Sequence, residues 1–90
     1  MSVEEFLKEK ATNFQVFLKE KSSPEHHSKL EGYKYEDLVA ALQTQLIPIY
    51  KLGRLEEVAE GIAKEFGLSE TEDKAKILRY LNCFCEVYTQ

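Results

Sequence analysis

The sequence predicts an all-α fold: a compact bundle of four main helices plus one short polar helix, with the C-terminal helix central. Three observations support this. Apolar residues recur at helical spacing, and no stretch shows the period-two alternation of a half-buried strand. Glycine and proline occur only at Pro24, Gly32, Pro48, Gly53, Gly61 and Gly67, mostly between the periodic runs. The loops between those runs are short, which favours antiparallel neighbours.

The first helix is predicted from about Val3 to Lys21. Ser2 and Glu5 form a capping-box pair, in which the hydroxyl accepts from an early backbone N–H and the carboxylate reaches back. Val3, Phe6, Leu7, Ala11, Phe14, Phe17 and Leu18 form a stripe about 140 degrees wide, with Val16 on the opposite face. Two or more neighbours must cover such a stripe. Ser23 suits an N-cap and Pro24 the first helical position, where its missing N–H is harmless. A short polar helix containing His26 and His27 follows. Leu30 is its expected anchor, and Gly32 its expected left-handed terminus.

The third helix spans about Tyr35 to Leu46, with Tyr35, Leu38, Val39, Leu42, Leu46 and Ile49 on one face. Pro48 is expected to kink or end it, with a last turn closed by Gly53. Arg54 to Phe66 forms the fourth helix. Leu55, Val58, Ala59, Ile62 and Phe66 hold its apolar spacing, Glu56, Glu57, Glu60 and Glu65 its other side, and Gly67 its stop. Gly61 inside it suggests a close helix crossing. Ser69 and Glu72 read as a second capping box opening the fifth helix. There Ile77, Leu78, Tyr80, Leu81, Phe84, Cys85, Val87 and Tyr88 spread over about 180 degrees.

These patterns predict one helical domain over residues 1–90. Its core takes Phe6, Phe14 and Phe17 from the first helix, and Leu38, Leu42 and Leu46 from the third. Leu55, Val58, Ile62 and Phe66 come from the fourth, and Ile77, Leu78, Leu81 and Phe84 from the fifth. With 43% hydrophobic residues, the chain is too apolar to be disordered. Ninety residues leave no room for a separate cofactor domain.

Charge and motif content exclude more than they assign. The net charge is −4, and no segment carries the Lys/Arg excess that phosphate binding requires. No apolar run reaches the roughly 20 residues of a membrane span. The start, Met1-Ser2-Val3-Glu4-Glu5, is acidic where a signal peptide is basic. A cytoplasmic chain with reduced Cys83 and Cys85 is therefore expected. No Gly-rich phosphate loop, HExxH or G-x-S-x-G occurs, so the chain is expected to be neither an enzyme nor a cofactor protein.

Two arrangements compete for attention. His26, His27, Cys83 and Cys85 are a zinc inventory in kind, but adjacent His and Cys two apart diverge on a helix. No metal site is expected; a metal or thiol sensor is an alternative reading. Residues 54–80 resemble a helix-turn-helix unit in outline. Its second helix would open with Glu70, Thr71, Glu72 and Asp73, which repel phosphate, so nucleic-acid binding is a disfavoured alternative. The preferred reading is a non-catalytic protein–protein interaction module, either a homodimer or an adaptor subunit of a larger assembly. The apolar margin of the last helix would make the contact through Tyr80, Phe84, Val87 and Tyr88, because tyrosine joins an apolar body to a polar tip.

Overall fold

The computed structural model describes residues 2–90. Among them there is no strand, and the helices follow the predicted order. Helix α1 spans Val3–Lys21, as its periodicity requires. The Ser2 hydroxyl accepts the Glu5 N–H at 3.1 Å, satisfying one of the donors that a helix start leaves open. Ser22 and Ser23 then turn extended before Pro24, the conformation proline favours in the residue preceding it. A single 3₁₀ turn, Pro24–His26, leads into the short helix α2, His27–Glu31. Gly32 ends α2 at φ −87°, so the left-handed terminus predicted there does not form.

Pro48 neither ends nor breaks the third helix. Helix α3, Tyr35–Ala41, runs into a wider turn over Leu42–Leu46 and continues as α4, Ile47–Lys51. In the wide turn the Ile47 N–H reaches back five residues to the Leu42 carbonyl. A proline removes a donor and crowds the carbonyl four residues before it. One π-type turn just ahead of it accommodates both effects without breaking the rod.

Glycine closes two helices as its chemistry predicts. Gly53 and Gly67 adopt φ of 71° and 69°, a region that other residues enter at a cost. At each, the next N–H bonds five residues back: Arg54 to the Ile49 carbonyl at 3.1 Å, and Leu68 to the Ala63 carbonyl at 2.7 Å. This is the Schellman closure. It also buries Leu68, a core residue that helical periodicity misses because it lies beyond the helix.

Helix α5, Leu55–Phe66, lies against α6, Glu72–Tyr88, which also meets α1 and the α3–α4 rod. The C-terminal helix is thus central, as its wide apolar face predicts. Gly61 does not mark the close crossing: it is exposed, and a Cβ there would meet nothing within 4 Å. The fully buried small residues of α5 are instead Ala59 and Ala63. The predicted Ser69–Glu72 box is also displaced. The carboxylate of Asp73, one residue later, accepts the Ser69 N–H at 3.0 Å.

Most of the predicted core is buried, with Phe14, Val58, Ile62 and Leu78 half-buried against it. Leu7, Leu18, Ala59, Ala63, Leu68 and Cys85 join it. Phe6 does not; it lies at the edge under the Lys10 ammonium, 5.4 Å from its ring centre. No helix among the described residues is long and apolar enough to cross a membrane.

Candidate functional site

The wide stripe of α1 is not fully covered. Helix α6 takes part of it, with Phe14 against Tyr80 at 5.0 Å and against Phe84 at 5.8 Å between ring centres. The rest, including the half-buried Ala11, borders an open groove of about 540 Å³. Ala41 of α3 and Val58 and Ile62 of α5 line it with partly exposed side chains, and Leu38, Leu81 and Phe84 lie beneath them with almost no accessible surface. Close packing is the norm in protein interiors. Ala11 and Ala41 are small residues in a position to leave the space open. The volume falls within the roughly 300–1,000 Å³ of sites that hold small organic molecules.

Polar groups are confined to a few positions. Lys8, Lys29 and Lys34 line the cleft against the one carboxylate of Glu65, in a chain whose net charge is −4. Lys8 is paired with Glu4 at 3.2 Å and lies 5.3 Å above the Tyr35 ring. Lys29 approaches Glu65 at 3.7 Å and the Phe66 ring at 5.8 Å. The Gln15 amide donates to the Tyr33 carbonyl at 2.8 Å, tying α1 to the segment after α2. Burial, with Asp37 nearby, pushes the Tyr33 phenol up. Burial, then Glu4, does the same for Tyr35. Both rings therefore offer neutral hydroxyls.

Of the residues predicted to contact a partner, Phe84 is corrected outright. It has no accessible surface and sits within an aromatic cluster with Phe14 and Tyr80. It has no side chain to offer on the outer margin of α6. Tyr80, Val87 and Tyr88 are half-buried against the core. The Tyr88 hydroxyl is already engaged, accepting from the Gln43 amide at 2.7 Å. The four residues do not form one exposed patch.

The histidines are not the solvated pair that their polar helix suggests. His26 Nδ1 lies 2.9 Å from the Phe66 carbonyl, and His27 Nε2 lies 2.9 Å from the Lys19 carbonyl. A carbonyl only accepts, so each ring donates an N–H to the C-terminal end of a main helix, where carbonyls lack partners. The 3₁₀ turn and the start of α2 thus cap α5 and α1 at once. Sequence periodicity could not reveal this, because both partners are backbone atoms distant in the chain.

The cysteines do not complete a site with them. Among the described residues no group of three or more His, Cys, Asp or Glu is placed to hold a metal ion. Cys85 is fully buried, and burial, then Glu86, pushes its thiol up to about 11. Burial also raises Cys83, against a lowering from Lys10. A raised thiol is a poor nucleophile at neutral pH.

The 54–80 unit is an αα-hairpin with a five-residue turn over 67–71. The basic residues near its second helix start are engaged: Lys74 pairs with Glu56 at 3.0 Å, and Lys76 lies 4.9 Å above the Phe17 ring. Comparison with protein-family models, curated proteins and solved structures returns no match.

Proposed function

We propose that this chain is a non-catalytic binding module whose working surface is the cleft between α1, α3 and α5. The observation that supports this is the cleft itself, a mainly apolar groove of about 540 Å³ open to solvent between α1, α3 and α5. Unfilled apolar space forfeits packing contacts that a small domain needs. Filling it with an apolar group of a partner recovers them. The residues brought together there are hydrocarbon walls and ammonium groups, with no nucleophile–base pair of the kind covalent catalysis needs. The role expected from the sequence, a helical interaction module, is retained, and its surface is reassigned from the margin of α6 to the cleft.

The test is titration with N-phenyl-1-naphthylamine, a neutral dye that fluoresces in apolar surroundings. Saturable binding of one dye per chain is expected, and its loss in Ala41→Phe, with circular dichroism unchanged. If the folded protein leaves the dye dark, the reading is wrong.

Contact with a protein partner or a second copy through α6 is the second reading. It is favoured by the partial exposure of Val87 and Tyr88. Sedimentation velocity of wild type and Tyr88→Ala decides it: a self-associating wild type that the substitution makes monomeric supports this contact, and a monomeric wild type counts against self-association.

A further inference from the structure

We propose that residues 23–34 form a strap that opens as one unit while α1, the α3–α4 rod, α5 and α6 stay folded. From Ser23 to Lys34 no residue is buried, and only His26, His27 and Leu30 are partly so. Leu30 alone of the segment packs against the core. Buried apolar contact is what couples a segment to the rest of a domain, and segments with little of it open well below the free energy of global unfolding. Leu30 and Tyr33 border both the groove and a second hollow of about 250 Å³ that reaches Val16 and Lys19 of α1. The strap thus meets α1 with open space in two places instead of packing along it.

What holds the strap closed is polar. His26 donates to the Phe66 carbonyl at the end of α5 and His27 to the Lys19 carbonyl near the end of α1, each at 2.9 Å. The Gln15 amide of α1 donates to the Tyr33 carbonyl at 2.8 Å. Each of these replaces a bond to water, so each holds the strap by a modest net amount. The Lys29–Glu65 contact, 3.7 Å long and exposed on both sides, adds little.

The two ends suit hinges. Ser22 and Ser23 are extended, and the buried Ser22 hydroxyl has no hydrogen-bond partner among the described residues. Opening there lets water reach it and relieves that cost. Gly32, exposed, stands near the other end and absorbs dihedral change easily. The open state keeps the buried core, because the strap supplies none of it. Lys29, Leu30 and Tyr33 border the groove, so opening widens it; this consequence rests on the groove being the binding surface.

Native-state hydrogen exchange by NMR tests the strap at two of its hydrogen-bonded amides, His26 and Tyr33, with Leu81 of α6 as the reference. Ile77→Val, in the core, should speed Leu81 exchange about fivefold and leave both strap amides unchanged, since Ile77 stays buried when the strap opens. Strap amides that accelerate in step with Leu81 would show that the segment opens only with the whole domain, and overturn the proposal. Gln15→Ala and His27→Ala should each speed both strap amides about fivefold. An effect confined to the nearer amide would mean local fraying and overturn the single unit. Saturation with N-phenyl-1-naphthylamine should slow both amides, because the dye occupies the groove beside the closed strap. Dye that binds without slowing them overturns the tie between strap and groove. If no dye binds, the groove reading falls, and the Ile77→Val comparison still decides the strap.

Discussion

Ala11→Leu separates the cleft from ordinary core. Ala11 lies in the middle of α1, half-buried, with its methyl facing the open space. Leucine adds three carbons, and each buried methylene is worth about 0.8 kcal/mol. Full burial would give about 2.4 kcal/mol, but one side of the cleft is open, so about 1 kcal/mol is the working value. Leucine is nearly as good a helix former as alanine, so propensity takes away little. For a domain of this size, 1 kcal/mol corresponds to a rise in Tm of about 4–8 °C. The new isobutyl group occupies the space a ligand needs, so dye affinity should fall more than about tenfold. The assays are thermal unfolding by circular dichroism and the dye titration above. In a closed core the same change overpacks and destabilises, by about 1–3 kcal/mol. A variant with lower Tm, or one that still binds the dye with wild-type affinity, refutes the reasoning.

Further outcomes follow from single contacts. The two glycines of the α5 region should respond with opposite sign. Gly61→Ala should raise stability by about 0.5–1 kcal/mol, because the site is helical and open, whereas Gly67→Ala should lower it by about 1–2 kcal/mol, because φ there is 69°. Urea unfolding of both variants checks this, and two shifts of the same sign would contradict it. Ser22→Ala should stabilise by about 1 kcal/mol, since the buried Ser22 hydroxyl has no hydrogen-bond partner among the described residues; a lower urea midpoint would show that the hydroxyl is satisfied in solution. The Cys85 thiol is raised from 9.0 to about 11 in the fold, so the unfolded chain loses its proton first. Its contribution is fully present below pH 9 and is lost as pH rises toward about 11. Wild type should therefore lose more stability across that interval than Cys85→Val, and equal slopes by urea unfolding would disprove the assignment.

The fold was largely legible because the deciding terms are local. The boundaries of α1 follow from Ser2 and from the run of extended residues before Pro24. The stop at Gly67 follows from a conformation that glycine enters freely. Misreadings arose where a residue's effect depends on something distant or flexible. Pro48 predicts a kink or an end because a strict α-helix has no room for it; a wider turn does, and the helix continues. Gly61 was read as a crossing point, yet which face of α5 meets α6 is settled by the packing of Ala59 and Ala63. The carboxylate closing the last N-terminus came from Asp73 rather than Glu72, since either lies within reach of Ser69 along the chain.

The candidate site was much less legible. Phe84 and Tyr80 were singled out because α6 is apolar around half its circumference, and in the fold the same property makes α6 the element that others surround. The one hint of the cleft was the breadth of the α1 stripe, which requires more than one neighbour. Local periodicity and capping chemistry set where each helix runs, because they act within four residues of sequence. The angles and gaps between helices come from side chains on separate elements meeting in space. Whether the methyls of Ala11 and Ala41 close on each other or leave a space between them is a property of that meeting.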